Sequence, residues 1–422
     1  MPREAKPEKF TKPQWFLVLL LALMNFAHIL DFVIVMPLGD ALRKELSITP
    51  QQFGHVVAVY GLSATVAGLL VSSVVDRFDR RHVLLLSFAA FAVATLLCGL
   101  SRDHTELLVS RGLAGAFGGV VASTIMAIIG DAFPNAQRGR AIGVVTAAFA
   151  CASILGLPIG LLLADSYGRG APFVAIAAVG ALILAVAFWR LPHFTSHQLA
   201  KADHPLVQFW NVAKQPRHLI CFAFMYTLVM GTFTVVPYLA PYLQANAGLN
   251  SGDIAKIYSV AGAVTLVMMI LIGQLTDRFG QLPVFLVCAV GSMAMAMAIT
   301  HVLPTSVVGG ILLATGFMVT ASGRVVPAQA MMLRSADPHT RGAFTNLNSA
   351  VSHLATGTAP LIAGNILGEA EPGGPLMNYG TVGWVAVGFG AVALLLSFSF
   401  RRAKAQQPVA VAIERPIRLE SV

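Results

Sequence analysis

A stripe of polar residues interrupts the first long apolar stretch of the chain, at Asn25, His28 and Asp31. Residues spaced by three lie on one face of an α-helix, so these side chains would line one side of an otherwise apolar helix. A carboxylate at the centre of a membrane-spanning helix costs roughly 3 kcal/mol unless it is paired or hydrated. We therefore predict that the stripe faces a cavity and that Asp31 binds and releases protons; the alternative is a satisfied structural carboxyl group.

Two further ionisable residues are predicted to act with Asp31. Arg111 lies a few residues inside a later apolar stretch, and a helical rise of about 1.5 Å per residue puts it at a depth similar to that of Asp31. We predict that the two are close, directly or through water, as a proton-sensitive pair or as a permanent structural one. His28 is a candidate proton relay because histidine titrates near neutral pH; the alternative is a hydrogen-bonded structural histidine.

The second half of the chain carries most of the candidates for a substrate cavity. Arg324 and His353 fall at similar depths in two apolar stretches, where a guanidinium would hold an anionic substrate group or, equally well, helix carbonyls. Tyr238 stands in a stretch interrupted by two prolines, and its ring would line an adaptable apolar pocket or pack in the core. Together with Asn25, these residues form the predicted substrate cavity.

Charged residues recur in short polar connections between apolar stretches. The predicted gating residues are Asp76, Arg77, Arg80, Asp131, Asp277, Arg278 and Gly280. A carboxylate in such a connection can meet the N-terminus of another helix, where the helix dipole favours negative charge, and the arginines near Asp76 can pair with Asp131. We predict contacts that lock the outward-open state and break on inward opening; the alternative is that the positive residues only set the topology.

A short element with the sequence Gly156-Leu-Pro158-Ile-Gly160 is predicted to let its helix bend. Proline removes one backbone hydrogen bond from a helix interior. Glycines four residues apart allow neighbouring helices to approach closely. The element therefore combines a missing backbone hydrogen bond in one helix with a close contact to a neighbouring helix.

The composition requires membrane helices to position these residues. Of the 422 residues, 56% are hydrophobic and 11% are charged, against about 25% charged in soluble domains, so the polar surface is too small to cover a globule in water. The net charge of +9 comes from residues between and beyond the apolar stretches, which argues against a nucleic-acid partner. The four cysteines lie in apolar stretches without ligand spacing, so no disulfide framework or metal site is predicted.

Apolar stretches of about 20 residues, the length that spans a bilayer as a helix, recur along the whole chain. Barrel strands would alternate with a period of two, and these stretches do not. The predicted transmembrane helices, named spans 1 to 12, lie near residues 15–38, 53–75, 83–100, 107–130, 141–163, 172–190, 218–243, 255–275, 284–302, 307–332, 343–366 and 379–400.

The distribution of positive charge predicts the orientation. Twelve spans put both ends of the chain on one side of the membrane, and 21 of the 28 lysines and arginines fall on that side. Five fall on the other side, and Arg111 and Arg324 lie within spans. Because positive residues concentrate in cytoplasmic loops, both termini are predicted to be cytoplasmic.

The two halves of the chain repeat. Asp76 and Asp277 are 201 residues apart, Pro158 and Pro360 are 202 apart, and a Pro–Arg pair after spans 4 and 10 recurs at nearly the same offset. Parallel six-helix repeats place a substrate site between them, near mid-membrane. The predicted units are a cytoplasmic N-tail (1–14), a first six-helix bundle (15–190), a central linker (191–217), a second bundle (218–400) related by a pseudo-two-fold axis, and a C-tail (401–422).

At these residues the chain resembles the major facilitator superfamily, over essentially its whole length. The connection after span 2 keeps the acidic and basic residues of the family signature G-x-x-x-D-R/K-x-G-R-R/K, but has Ser72 and Asp79 at its glycine positions. The copy after span 8 keeps Gly273 and Gly280 and lacks the final basic pair. The resemblance implies an all-α integral membrane protein of twelve helices.

Two elements inside the spans resemble one branch of this superfamily. Arg111-Gly-Leu-Ala-Gly115 in span 4 is similar to its R-x-x-x-G element, and the Gly156-x-Pro158 element in span 5 is similar to the antiporter motif of proton-driven exporters. Together they look like the twelve-span drug:proton antiporter branch, near the arabinose-type and multidrug efflux permeases.

The resemblance implies a secondary transporter, not an enzyme: a proton-coupled exporter of small organic molecules that alternates access by rocking its two halves. No cofactor is expected, because the proton gradient supplies the energy. The expected partners are the substrate, protons and membrane lipid, and the expected form is a monomer spanning the inner (plasma) membrane many times. The alternatives are a proton symporter importing a sugar or organic acid, and a membrane sensor that keeps the fold without transport.

Overall fold

The structure is a computed structural model that describes residues 10–72, 78–194, 210–335, 341–371 and 373–400. Nearly all of these residues are helical. The first half contains α1 (Lys12–Ile34), α2 (Gly39–Leu46), α3 (Pro50–Ser72), α4 (Arg80–Leu100), α5 (His104–Ala132), α6 (Asn135–Thr146), α7 (Ala148–Cys151), a π-helical turn (Ala152–Gly156), α8 (Leu157–Tyr167) and α9 (Ala171–Arg190).

The second half repeats this succession of long helices. It contains α10 (Pro216–Phe233), α11 (Val236–Ala247), α12 (Ser251–Phe279), α13 (Gln281–His301), α14 (Val307–Gly323), α15 (Val325–Ser335), α16 (Arg341–Ile366) and α17 (Tyr379–Ser397). A small antiparallel hairpin of β1 (Gly368–Glu369) and β2 (Leu376–Met377) connects α16 to α17.

Each predicted span is helical in the structure, which confirms the predicted all-α membrane fold class. Within the described residues, eleven helical segments are long and apolar enough to cross a membrane. Span 11 is the exception: α16 has 26 residues, but Asn346, Asn348 and Ser352 lower its apolar content. Because α16 packs against α3 of the other half and against α10, much of its surface meets protein rather than lipid.

Three spans lose regular α-helical geometry just before a proline. The irregular segments are Ala152–Gly156 before Pro158, residues 234–235 before Pro237, and Arg324 before Pro327. Proline has no N–H to donate, so the carbonyl four residues earlier loses its helical partner and the backbone can depart from the α-helix. The predicted bending element of span 5 thus coincides with an irregular segment, and its bending during transport stays a prediction.

Within the described residues, the two halves pack against each other mainly in three places. Helix α3 lies along α16, α8 and the π-helical turn lie along α12, and the short α2 packs on α11. The crossing of α3 and α16 requires glycine, because a Cβ on Gly61 would lie 2.7 Å from the backbone nitrogen of Gly357. The domain limits inferred from the sequence stay a prediction, and residues 195–209 of the predicted linker lie outside the described residues.

The two ends of the helical bundle are named here by their predicted orientation. The outer end carries α2 and the β-hairpin, and the inner end carries Asp79, Arg80 and residues 191–194. The gating residues Asp76 and Arg77 belong to the inner end by sequence, but they lie outside the described residues.

Candidate functional site

Asp31 and Arg111 form an ion pair inside the first half. Nη1 of Arg111 lies 3.0 Å from Oδ2 of Asp31 and also donates to the backbone carbonyl of Asp31 at 3.1 Å. Both side chains are fully buried. The predicted closeness of the two residues is therefore confirmed, and it arises because α1 and α5 pack at the depth where each carries its one charged residue of the apolar interior.

Tyr60 of α3 is part of this site and was not found by sequence reasoning. The guanidinium of Arg111 lies over the Tyr60 ring, 4.4 Å from its centre, an arrangement that the electron-rich ring face stabilises. Gly115 permits the approach, since a Cβ there would lie 2.3 Å from the Tyr60 carbonyl oxygen. The signal in the sequence was weak, because an aromatic residue in an apolar helix is usually core.

His28 lies on the same face of α1 as Asp31, and it is buried. Its ring packs beside Tyr60 and Phe91 at centroid distances of 6.1 and 6.0 Å. Neither ring nitrogen has a hydrogen-bond partner among the described residues. Next to Tyr60 in α3, a Cβ on Gly61 would lie 2.8 Å from the backbone carbonyl oxygen of His353 in α16, so this cluster adjoins a helix of the second half.

Several buried polar atoms of this cluster lack protein partners in the described part of the chain. They are Oδ1 of Asp31, Nε and Nη2 of Arg111, the Tyr60 hydroxyl and both ring nitrogens of His28. A buried polar group without a partner costs about 1–3 kcal/mol. A cluster of such groups is the kind of interior site that takes up water or a polar ligand.

Asn25, the third residue of the stripe, makes a different contact. Its amide nitrogen donates to the backbone carbonyl of Val145 at 3.1 Å, and the side chain is buried. Asn25 therefore ties α1 to α6 in this structure. Its predicted place in a substrate cavity stays a prediction.

Tyr238 lies at the contact between the halves, fully buried near the outer end. Its hydroxyl donates to the carbonyl of Pro50 at 2.9 Å and approaches that of Pro360 at 3.3 Å. The ring packs edge-on against Phe53. In this conformation Tyr238 joins α11 to α3 and α16, and a cavity-lining role would require these helices to part.

Arg324 is buried at the break between α14 and α15. One guanidinium nitrogen, Nη2, donates to the carbonyl of Leu228 at 2.9 Å and to the hydroxyl of Thr232 at 2.7 Å. No ion pair of Arg324 occurs within the described ranges, and no hydrogen bond joins it there to His353. In the structure Arg324 is therefore held by a backbone carbonyl and a hydroxyl group of α10.

The predicted contact between Arg80 and Asp131 is formed, and its role in gating stays a prediction. Nη1 of Arg80 lies 2.7 Å from Oδ2 of Asp131 and donates to the carbonyl of Ala127 at 2.6 Å, so it ties the start of α4 to the end of α5. In the second half, Arg278 lies over the ring of Phe279 and Asp277 is exposed. Gly280 adopts a φ of +91°, a conformation that favours glycine, and it forms the tight link from α12 to α13.

Asp79 makes a second connection at the inner end that sequence reasoning missed. Its carboxylate accepts the N–H of Arg81 at 3.0 Å, capping α4, and also accepts the N–H of Phe194 at 3.0 Å and a bond from Nδ1 of His193 at 2.5 Å. Burial alone would raise the pKa of Asp79, but the bonds from Phe194, His193 and Arg81 outweigh it and lower the pKa to about 2. The available signal was an acid at a glycine position of the family signature.

The same residues come within reach of metal coordination. One ligand atom each from Asp79, His82 and His193 falls within 4.8 Å of the others. Arg81, however, donates from Nη1 to Nε2 of His193 at 2.7 Å, which leaves the ring proton on Nδ1, facing Asp79. The lone pair that a metal ion would need there is taken, so we assign these residues to a hydrogen-bonded strap between α4 and the end of α9.

Comparisons with known proteins agree with this arrangement. The Major Facilitator Superfamily pattern matches residues 21–360. Among similar proteins, the uncharacterized MFS-type transporter YceJ of Bacillus subtilis is 24% identical over 374 residues, covering 87% of this chain and 91% of that protein. Multidrug resistance protein 2 of the same species is 23% identical, covering 82% and 86%. Multidrug resistance protein MdtG of Enterobacter lignolyticus is 26% identical, covering 79% and 82%.

Solved structures share the fold at low sequence identity. A bacterial homologue of the human lysosomal transporter Spinster, in an inward-facing and occupied conformation, has a TM-score of 0.73 and 16% identity, covering 95% of this chain and all of that one (100%). The nucleoside transporter NupG has a TM-score of 0.74 and 14% identity, covering 92% and 99%. With its membrane helices and its family match, this chain belongs to the major facilitator superfamily and is a multi-pass membrane transporter, not an enzyme.

Proposed function

We propose that the protein is a proton-coupled exporter of small organic molecules and that Asp31 is its proton site. The observation that carries the proposal is the fully buried ion pair of Asp31 and Arg111 within two membrane-spanning helices. Intramembrane carboxylates are costly to keep unless they serve transport or proton transfer. Relatives named multidrug resistance proteins support export of organic molecules.

The contacts of Arg111 suggest how protonation of Asp31 would change the conformation without unfolding the protein. A proton on Asp31 removes the negative partner, and a buried charge left unpaired costs about 3–5 kcal/mol. Arg111 would keep its bond to the Asp31 carbonyl and its stacking on Tyr60, so α5 would stay attached to α1. The lost interaction would favour a rearrangement that lets water reach the guanidinium.

His28 is placed to exchange the proton with Asp31. It stands about one turn earlier on α1, and its ring nitrogens have no protein partner among the described residues. The His28 ring packs beside Tyr60, whose neighbour Gly61 lies against α16, so a proton on His28 would lie near the contact between the two halves. His353 and Arg324 complete the proposed cavity on the side of the second half.

The contacts between helix ends supply the proposed gate. The pair of Arg80 and Asp131 holds the inner ends of α4 and α5 together, and Asp277, Arg278 and Gly280 occupy the equivalent turn of the second half. The irregular segment around Gly156 and Pro158 packs against α12. Bending there would change the contact between the halves.

We place the protein in the plasma (inner) membrane of a bacterial cell, as a monomer with both termini in the cytoplasm. Its relatives named above come from bacteria. The excess of positive residues in the tails, the central segment and alternate loops supports the orientation. Lipid would contact the exposed apolar faces of the membrane-spanning helices.

Transport in proteoliposomes with an imposed pH gradient tests the proposal. Wild-type protein should move a cationic or neutral organic dye against the proton gradient, and Asp31→Asn should abolish accumulation that depends on the gradient while leaving downhill movement. Asp165→Asn, at an exposed acid of α8, is the matched control and should transport like the wild type.

Two outcomes would contradict the proposal. If wild type and Asp31→Asn respond equally to the pH gradient, Asp31 is not the coupling site. If the dye moves in the same direction as the protons flowing down their gradient, the protein is a symporter.

A further inference from the structure

An ion pair connects the two halves at the outer end. Arg43 of α2 pairs with Glu369 of β1, and the same nitrogen, Nη2, donates to the carbonyl of Gly374 at 3.1 Å. Oε2 of Glu369 also accepts the N–H of Gly373 at 3.2 Å. The Arg43 side chain is fully buried, whereas 11% of the Glu369 side chain is exposed. A charge of the first half is thus enclosed by a loop of the second half.

Hydrogen bonds from α11 of the second half fix the hairpin of β1 and β2 in position. Asn246 of α11 donates to the carbonyl of Leu376 and accepts its N–H, both at 2.9 Å, so the hairpin is fastened to its own half. On the other side, α2 is a short helix directly after α1, the helix that carries Asp31. A movement of α1 would therefore act on Arg43 against a fixed partner.

Neutral contacts complete the seam between the halves. Gln51 of α3 donates to Asn365 of α16 at 2.6 Å, and Tyr238 of α11 donates to the carbonyl of Pro50. Among the ion pairs of the described residues at this end, those of Lys44 with Asp40 and of Arg169 with Glu45 stay within the first half. Arg43 with Glu369 is the pair there that spans the two halves.

We propose that Arg43 and Glu369 hold the outer end of the transport path closed and set how often it opens. A buried ion pair is strongly destabilised when one member is removed. When the halves part, however, water can reach both charges and replace the lost interaction. The pair therefore favours the closed outer end and still separates reversibly. This inference rests on alternating access in the proposed function, and it does not depend on the direction of transport or on protons.

Distances between spin labels on the two halves test the proposal. Labels at Arg102→Cys and Glu371→Cys, two exposed positions at the outer end, are measured in nanodiscs in a background with the exposed Cys151 changed to Ser. Wild-type pairing should give one dominant short distance. Arg43→Gln should raise the ratio of long to short distances by roughly tenfold, and Glu369→Gln should raise it further because it leaves a fully buried guanidinium without its counter-charge.

Two variants make the result specific to the ion pair. The exchange Arg43→Glu with Glu369→Arg restores opposite charges and should return the distances towards the wild-type pattern. Lys44→Gln removes the neighbouring positive charge, which is 56% exposed and pairs within α2, and should leave the distances unchanged.

The proposal is overturned if Arg43→Gln and Glu369→Gln keep the wild-type distances, or if Lys44→Gln opens the outer end as much as they do. If the double variant Arg43→Glu with Glu369→Arg keeps the wild-type melting midpoint but does not restore the wild-type distances, the ion pair is not what closes the outer end. Because the distances need no proton gradient, a loss of proton coupling in the transport assay would leave this test intact.

Discussion

At the scale of single residues, the site depends on what surrounds Arg111. The guanidinium lies between a carboxylate at 3.0 Å and an aromatic face at 4.4 Å. Both contacts stabilise the buried cation, because removing it from water costs several kcal/mol and the carboxylate would lose its charge whenever it takes up the proposed proton. Tyr60 therefore supports Arg111 in the state in which Asp31 would be neutral.

Two substitutions of Tyr60 distinguish the contribution of its aromatic ring from that of its hydroxyl group. Tyr60→Phe keeps the aromatic face and should retain most transport, whereas Tyr60→Leu should lower it about tenfold, since a desolvated cation–π contact contributes about 2 kcal/mol. The measurement is the initial rate of gradient-driven transport at several pH values. Equal rates for the Phe and Leu variants would show that the ring face does not support Arg111.

The strap at Asp79 has a pH dependence that follows from its lowered pKa. Its folded value of about 2 lies below the ordinary 3.8, so the carboxylate stabilises the folded protein fully above about pH 4 and loses this effect as the pH falls through 2. Asp79→Asn should therefore lower the free energy of unfolding at pH 7 by roughly 1 kcal/mol, a value reduced for the partly exposed setting.

Thermal unfolding in detergent measures this difference at pH 7 and at successively lower pH. The gap between wild type and Asp79→Asn should narrow as the pH falls below 4. Asp103→Asn, which changes the acid that caps α5 at the outer end, is the control for a general capping effect. A gap independent of pH would mean that the charge of Asp79 does not hold the strap.

At the scale of elements, glycines decide where the halves touch. In α3, a Cβ on Gly61 would meet backbone atoms of α16 at 2.7 and 2.8 Å, while a Cβ on Gly68 would meet nothing within 4 Å. Backbone cannot move aside as a flexible side chain does. Substitution of these two glycines of α3 by alanine should therefore have opposite effects on stability.

Gly61→Ala should wedge α3 away from α16 and lower transport at least about tenfold, with a loss of stability of roughly 1–3 kcal/mol. Gly68→Ala should keep transport and add up to about 1 kcal/mol of stability, because alanine favours a helix over glycine. Transport rates and melting midpoints of the two variants provide the comparison. Similar behaviour of both would mean that the crossing is looser than the backbone distances indicate.

At the scale of the whole molecule, the two halves meet through α3 with α16, span 5 with α12, and α2 with α11. The irregular segments of spans 5, 7 and 10 all precede prolines. Such segments allow a helix to change direction while its ends stay packed. If the two halves rock against each other, we expect the backbone to bend mainly at these irregular segments.

The orientation can be tested by labelling cysteines with a reagent that does not cross membranes. In cells with Cys151 changed to Ser, Glu371→Cys should react from outside, and Arg140→Cys should react only after the membrane is opened. The physical reason is the excess of positive residues on the side of the tails. Reaction of Arg140→Cys in intact cells would reverse the orientation.

The membrane helices and the depth of Asp31 and Arg111 could be predicted from the amino-acid sequence alone. In lipid each backbone group must be satisfied within its own segment, so apolar stretches of sufficient length specify helices locally. Depth along a span is also a local property, so the residue numbers predicted a similar depth for Asp31 and Arg111, and the family resemblance indicated that the two face each other. Repeats and signature residues placed the chain among transporters before any contact was known.

Only the tertiary structure decided which distant residues share a surface. Tyr60 under Arg111, His193 on Asp79 and Glu369 on Arg43 depend on how helices rotate and on how the two halves pack, and Glu369 lies 326 residues from its partner. The tertiary structure also shows that the side chains of Tyr238 and Asn25 hydrogen-bond to backbone carbonyls of neighbouring helices. Hydropathy carries no information on these pairings, because a lipid-facing and a protein-facing side of a helix can be equally apolar.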